Sequence, residues 1–356
     1  MKRLLTIAAL LISSSSFAQN LCHSKVHIGF CYPLSTHGVY ARDYSNTFSV
    51  HALVGVSGYE RAFCASGLTN IIYNNSRGFV AGGFSNHISG SMKGVLASGF
   101  INTINYSATG AQLAGFANIS GRAKGVQLAG FCNINRGNMT GVQAAGFMNY
   151  NRKNVRGSQL AGYINIADTV NTQVSGFINV AKVAKVQVSG FMNIADSCDY
   201  PLGIINIIRK GEKSIGLSLD ANKTSMVSFR SGGRVLYGII GLGYNYGNKT
   251  TNLFAIETGI GAHLRVSRNV RVNIEATSAS FTDLTDELFM TSSLRVLPTL
   301  SFGKHIELFA GPAINSVQSD AYSGEQISNH YIWSDRSWGM FNGVYITAYA
   351  GLHYRF

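Results

Sequence analysis

The sequence predicts an all-β protein in two parts: a parallel β-solenoid of about ten coils, then a small antiparallel barrel of about eight strands. Three observations carry that expectation. A Gly-(aromatic/aliphatic)-x-Asn unit recurs ten times, with its asparagines at Asn70, Asn86, Asn102, Asn118, Asn133, Asn149, Asn165, Asn179, Asn193 and Asn206. The chain holds 40 glycines against 4 prolines, and only 13% of its residues are charged, which suits closely approaching strands and not a disordered polyelectrolyte. Beyond residue 211 the sixteen-residue rhythm gives way to alternation with period two.

Residues 1–18 have the layout of a signal peptide. Lys2 and Arg3 precede the apolar run Leu4 to Ile12, and Ser16-Phe17-Ala18 supplies a small-x-small cleavage pattern. The apolar run is about half the roughly 20 residues a spanning helix needs. Export is therefore expected, and a barrel is the one membrane-spanning structure open to the mature chain. Without Lys2 and Arg3 the formal charge of +13 falls by two, to +11.

Residues 19–62 are read as a capping segment and 63–210 as the solenoid. Successive asparagines lie 16, 16, 16, 15, 16, 16, 14, 14 and 13 residues apart, enough for two short strands and two corners per coil. In Gly125-Val126-Gln127-Leu128-Ala129-Gly130-Phe131-Cys132-Asn133-Ile134 the alternation marks a strand with one buried face. Gly130 then marks a kink or close backbone approach, so the direction of Phe131 is open. Coils stacked about 4.8 Å apart align like residues into ladders. An Asn ladder at a corner supplies partners to backbone groups that the bend leaves unpaired, and the phenylalanines form a second ladder. An up-and-down barrel with one repeat per strand fits less well, because alternate strands would carry the same motif toward opposite ends.

These units, Gly-Val-Gln-x-x-Gly-Phe-x-Asn-Ile, end in Asp199-Tyr200-Pro201-Leu202-Gly203-Ile204-Ile205-Asn206-Ile207-Ile208-Arg209-Lys210-Gly211. Over about residues 63–211 the chain resembles the leptospiral surface-repeat proteins and their relatives in the Bacteroidetes. The resemblance implies an exported, envelope-associated protein and carries over no catalytic residue.

Between Cys64 and Lys210 the acidic residues are Asp168, Asp196 and Asp199, against twelve basic ones. The basic residues recur near the corner after each Asn: Arg77, Lys93, Arg122, Lys124, Arg136, Arg152, Lys153, Arg156, Lys182, Lys185, Arg209 and Lys210. Stacked, they would form a ridge able to hold an anionic glycan or lipopolysaccharide. The plainer reading is a set of solvated corners that discourage edge pairing. Lys124, Arg136, Arg152, Lys153, Lys182 and Lys185 are the binding candidates. No nucleic-acid motif accompanies them, and three scattered aspartates do not converge as polysaccharide cleavage requires.

Cys22, Cys31, Cys64, Cys132 and Cys198 are odd in number and lack metal-ligand spacing, so no metal or cofactor is expected. Cys31 with Cys64 is the pair an oxidising compartment would favour, and Cys132 reads as a small buried hydrophobe.

Residues 211–356 form the expected barrel, with strands at 214–220, 224–230, 235–246, 252–266, 270–281, 291–303, 306–317 and 343–356. Phe254, Ile256, Ile260 and Leu264 alternate with Glu257, Gly259, Gly261 and His263, as lipid-facing and lumen-facing residues do. The terminal Leu352-His353-Tyr354-Arg355-Phe356 resembles the terminal aromatic signal of outer-membrane barrels, and Tyr244, Tyr246, Phe302, Tyr354 and Phe356 suit interfacial girdles. Short connections near 231–234, 267–269 and 304–305 alternate with longer ones at 247–251, 282–290 and 318–342. An even strand count then puts the solenoid on the periplasmic side, in tension with a surface label.

Inward positions include Arg230, Glu257, His263, Arg265, Arg271, Glu275, Arg295, Glu307, His353 and Arg355, which would pair across so narrow a lumen and leave no wide pore. Two alternatives remain: a lipid-modifying barrel enzyme built on His263, Glu275 and Ser278, or a narrow channel. The loop 318–342 carries Tyr322, Tyr331, Asp335 and Arg336 with both tryptophans, Trp333 and Trp338, either a recognition surface or a lid.

Overall fold

The computed structural model describes residues 21–356 except 234, 248–252, 285–287, 321–324 and 338. The signal peptide read from residues 1–18 lies outside the described residues. Of the described residues 77% are in strands, arranged as a parallel β-solenoid of about ten turns and a closed eight-stranded antiparallel barrel. It divides into two compact units, one ending at Arg136 and one running from Gly137 to Phe356.

In the first unit, parallel pairing begins within the segment read as a cap. Cys22–Cys31 pairs in parallel with Tyr44–Ser57, which pairs in turn with Tyr59–Ser66. Tyr59–Ser66, Ser76–Gly82 and Met92–Ser98 then stack in register as one face. Thr69–Ile72 and Ser85–Ile88 stack as the second. Both faces continue through Ile101–Ala114 and Ala117–Ala129. Register follows the repeat, with Asn70 opposite Asn86, Asn86 opposite Asn102, Asn102 opposite Asn118 and Asn118 opposite Asn133. The core between the faces is apolar, with Cys64, Ile72, Val80, Ile88, Leu96 and Ile104 among its members.

The asparagine ladder works as the spacing implied. Asn70 Nδ2 donates to Asn86 Oδ1 at 2.8 Å and to the Ala81 carbonyl at 2.7 Å, and Asn86 repeats the pattern on Asn102 and Ala97. Each side chain thus satisfies a strand-end carbonyl of the next coil and joins the ladder. Asparagine fits because one short side chain both donates and accepts.

Gly130 and Phe131 both lie on the outside, so the inward-outward alternation does reset at this corner, and Phe131 is 40% exposed. The rings stack outside the coil, 4.8–4.9 Å apart along Phe84, Phe100, Phe116 and Phe131. Glycine is forced at Gly110, where φ is +116° and a Cβ would lie 2.0 Å from the Gly94 carbonyl oxygen. Gly110→Ala is therefore expected to destabilise the coil by roughly 2–3 kcal/mol, read as a lowered urea midpoint of the full chain. An unchanged midpoint would mean that the coils are not stacked this closely.

All five cysteines are free. The expected Cys31–Cys64 pair does not form: Cys64 is buried and donates to Asn70 Oδ1, while Cys31 donates to the Tyr32 carbonyl. Cys132 is buried beside the ladder, as a small hydrophobe would be.

The second unit continues the parallel pattern from Met139–Ala145 through Val155–Ala161, Ile164–Ser175, Ile178–Ser189 and Met192–Leu202 to Ile205–Ile208. The 14-residue coils run unbroken through the basic corner, whereas Met148–Asn151 and Val155–Ala161 are separated there by a turn. A second amide ladder lies inside these coils. Gln159 donates to Gln143 at 2.9 Å, Gln173 to Gln159 at 2.9 Å and Gln187 to Gln173 at 2.8 Å.

The barrel strands are Lys213–Asp220, Thr224–Gly232, Leu236–Asn245, Leu253–Arg265, Val270–Thr282, Leu288–Phe302, Ile306–Ser319 and Met340–Arg355. Each pairs antiparallel with the next, and the first pairs with the last to close the cylinder. A short strand the sequence did not betray, Trp333–Ser337, folds back on the start of the last strand.

Near 211, where the sequence texture changes, the final coil is bonded to the barrel's short-turn end. The backbone N–H of Asn206 donates to Ser231 Oγ at 3.0 Å, and Asn206 Nδ2 donates to the Ser231 carbonyl at 3.2 Å. Gly238 lets the third barrel strand lie against this coil, since a Cβ there would meet the Ile204 and Gly203 carbonyl oxygens at 2.1 and 2.2 Å.

Candidate functional site

The basic corner differs between the two units. In the first, the row Arg77, Lys93, Thr109, Lys124 runs in strand register, every member solvent-exposed. No acidic residue occurs between Cys64 and Arg136 to offset it. Arg122, on the coil of Lys124, and Arg136, one coil later, are exposed as well. At the strand spacing of about 4.8 Å, adjacent like charges repel, and an anion bridging them removes that repulsion.

In the second unit the corner alternates in sign. Lys182 Nζ lies 2.9 Å from Asp168 Oδ1, and Arg209 Nε lies 3.1 Å from Asp196 Oδ1. The hydrogen bond that it donates to Asp168 holds the Lys182 ammonium above the usual lysine range. Arg152, Lys153 and Lys185 are exposed nearby. The structure therefore gathers Lys124 with Arg77 and Lys93, and ties Lys182 to a carboxylate instead.

A second polar site, not legible as a motif, occupies the first coils. Glu60 is fully buried and accepts from Ser49 Oγ at 2.8 and 2.9 Å and from Asn46 Nδ2 at 3.3 Å. His27 is buried beside it, 3.0 Å from Ser35 Oγ and 3.2 Å from Asn46 Nδ2, and stacks on His37 and edge-on to His51. Both ring nitrogens of His51 are buried without a hydrogen-bond partner. Burial pushes Glu60 up to about 7, and burial together with neighbouring histidines pulls His27 down to about 3 and His51 to about 4. No group of His, Cys, Asp or Glu among the described residues is arranged to hold a metal ion.

These shifts fix a pH dependence. The two histidines stay neutral in the fold, so the unfolded chain gains protons on them below pH 6.5 and stability falls with pH. Glu60 acts oppositely: its raised value removes stability as pH rises from 4.5 to about 7. With two groups against one, the first coils are expected to lose roughly 1.4 kcal/mol per pH unit between pH 6.5 and 4.5. Limited proteolysis of residues 22–60 across that range measures it, and cleavage that does not accelerate on acidification would contradict it.

The barrel is built inside-out relative to a water-soluble core. Its exterior carries exposed Leu217, Leu242, Ile256, Leu294, Ile314 and Ile346, while Glu257, Glu275, Arg295, Glu307 and His353 are buried inside. Ion pairs fill the interior toward the last coil, and a buried apolar cluster that includes Met226, Leu253, Phe281, Phe289 and Val317 fills the other end. Glu275 takes both Arg230 nitrogens, at 2.8 and 3.1 Å, and the Tyr237 hydroxyl at 2.9 Å. Arg295 binds Glu257 and lies over the Tyr349 ring. Arg271 bridges Glu307 and Glu212. Arg265 departs from the inward set because the strand ends there, leaving it exposed. The side chain of Arg355 is only partly buried and reaches Glu307 at 3.2 Å.

The grouping of His263, Glu275 and Ser278 as a hydrolase does not assemble. Glu275 is committed to Arg230, and His263 bonds Asn273 at 2.8 Å and stacks on Tyr237. Ser278 shares its strand face with Ile274 and Ala276, on the outside, opposite in parity to Glu275.

Trp333 is exposed on the extra hairpin strand, and Trp338 and Tyr322 lie outside the described residues. The buried Gln row and the His27–Glu60 cluster are absent from the sequence-predicted site residues. For the Gln row a signal existed: Gln112, Gln127, Gln143, Gln159, Gln173 and Gln187 each stand six residues before a ladder asparagine.

No protein-family match is found for the chain, and no curated protein matches it. Among solved structures it is similar to a chain described as "De novo design of transmembrane beta-barrels", at 14% identity and a TM-score of 0.26, covering 41% of this chain and 93% of that one.

Proposed function

We propose that this is an exported outer-membrane protein without a catalytic role, anchored by its barrel and presenting the solenoid as a repeat scaffold. The observation that carries the reading is the closed barrel with large apolar side chains outside and paired charges inside, an arrangement costly in water and favourable in lipid. Strands of 8 to 16 residues are of the length that tilted spanning strands need. No helix among the described residues is long and apolar enough to cross a membrane.

Short connections lie at the end where the last coil is bonded, and short turns face the periplasm in such barrels. This supports a periplasmic solenoid. The likeness of the Gly-Val-Gln-x-x-Gly-Phe-x-Asn-Ile units to leptospiral-type surface repeats fits an envelope address and leaves the side open. The test is proteolysis of cells making the full chain. Protease added outside should leave residues 63–210 intact until the outer membrane is permeabilised, and cleavage in intact cells would place the solenoid at the surface.

For the scaffold's ligand, the row of Arg77, Lys93 and Lys124 favours an anionic glycan or lipopolysaccharide over nucleic acid, because no base-reading element accompanies the charges. A sulfated oligosaccharide should bind the full chain in a salt-weakened manner, and Lys93→Gln with Lys124→Gln should lower affinity roughly tenfold. Equal affinity in the double variant would remove this row as the site. The filled lumen argues against the channel alternative, and baseline conductance in planar bilayers is the expected result.

A further inference from the structure

The barrel end opposite the last coil carries a cleft of about 840 Å³. Its floor is the tight turn after Asp220 together with the end of the third strand. One wall is residues 325–331, and the other is the extra hairpin strand with Phe341. Long connections cluster at this end, where a barrel exposes its recognition surfaces.

The lining is chemically narrow. Asn222, Asn245, Ser328, Asn329 and Ser334 supply amide and hydroxyl groups, each able to donate and accept. Tyr331 and Phe341 supply aromatic surface, their rings edge-on at 5.2 Å. The described lining holds one lysine, Lys223, and one carboxylate, Glu325, which is itself paired with Arg336. An anionic polymer would find a single uncompensated cation here instead of a row, and an apolar ligand would strand several amides. A neutral molecule dense in hydroxyl groups, with apolar C–H faces between them, matches both features.

The site is also held in advance of any ligand. Asn245 Nδ2 donates to the Asn222 carbonyl at 2.9 Å and to Thr224 Oγ1 at 2.8 Å, while its Oδ1 accepts from the Gly247 N–H at 3.0 Å. The Tyr331 hydroxyl donates to the Glu325 carbonyl at 3.0 Å, and Arg336 on the hairpin pairs with Glu325. Lys223 stands at a φ of +61°, a strained value for a side chain of its kind and one that clusters at binding sites. Asn222, which lines the cleft, has its Nδ2 buried without a hydrogen-bond partner among the described residues, a donor that folding leaves unsatisfied.

We infer that this cleft is a binding site for a neutral oligosaccharide, its hydroxyl groups held by Asn222, Ser328 and Ser334 and its C–H faces packed on Tyr331 and Phe341. The site is separate from the basic row on the solenoid, so either can fail without the other.

The test uses the full chain in detergent micelles with a panel of neutral tri- to hexasaccharides built from glucose, mannose, galactose and N-acetylglucosamine. Saturation-transfer NMR identifies binders, and calorimetry gives their affinities. The expected result is binding of at least one member that 0.5 M salt leaves unchanged, weakened roughly tenfold by Tyr331→Leu and by Asn222→Ala, and abolished by Ser334→Trp, which fills the cleft. Ser328→Trp on the opposite wall is the second filling variant, and heat-dependent gel mobility verifies that each barrel is folded. The inference is overturned if no member of the panel binds, if the folded filling variants bind as well as the parent, or if binding is confined to acidic oligosaccharides and vanishes with salt.

Discussion

Glu275→Ala is expected to destabilise the barrel by roughly 3–5 kcal/mol, among the largest effects of any single substitution in the chain. Glu275 is fully buried and accepts two hydrogen bonds from Arg230 and one from Tyr237, with Arg295 at 3.8 Å. Alanine removes the one carboxylate that Arg230 engages and leaves a guanidinium that is itself 4% exposed. The energy lost is chiefly the cost of that stranded charge, not the worth of the pair. The double variant Arg230→Met with Glu275→Leu should therefore recover most of it, because it removes the stranded charge while Arg295 keeps Glu257. Urea titration of the shift between folded and unfolded gel mobility distinguishes the two. A single variant within about 1 kcal/mol of the parent would show that water reaches Arg230 and that the lumen is not sealed.

The second large effect is expected in the amide ladder. Asn179 accepts from Asn165 Nδ2 at 3.0 Å and donates to Asn193 Oδ1 at 3.0 Å and to the Val188 carbonyl at 2.7 Å. Asn179→Ala strands a donor and two acceptors, all inside the coil. At roughly 1–3 kcal/mol for each unsatisfied group, and with some relaxation, a loss of about 3–5 kcal/mol follows. Asn179→Asp should be nearly as damaging, since a carboxylate accepts but cannot donate. The comparison matters because a purely space-filling role predicts that Asp is tolerated. Circular dichroism during urea unfolding of the full chain reads both variants.

Much of the architecture was legible because both parts write their geometry as a period. A recurring Asn at 13 to 16 residues fixes the coil, and alternation around Glu257 and His353 fixes which strand face is buried. What escaped the sequence depended on events that no period records. The direction of Phe131 turned on a corner at which two successive residues face outward. The Trp333–Ser337 strand is five residues long and fully exposed, so it has no buried face to generate alternation. The cluster of His27, Asn46, Ser49 and Glu60 draws on three strands that share no motif. Ser278 looked near His263 and Glu275 only because counting along a chain ignores parity: one residue of register separates the lumen from the outer surface. The basic corner was visible as composition, but its division into a uniform row and an alternating one required the register that sets Lys182 beside Asp168.

The junction at Asn206 has a consequence for how such a chain can change in length. The rung that meets the barrel is bonded through Asn206 to Ser231, while the rungs before it bond to one another by the same contacts each time. An in-frame loss of residues 165–178 would bring Asn149 opposite Asn179 with its register intact, and an in-frame duplication would do the reverse. Reach from the barrel is thus a heritable quantity that changes in whole steps of about 4.8 Å, each the thickness of one coil, with the anchor and its seal untouched.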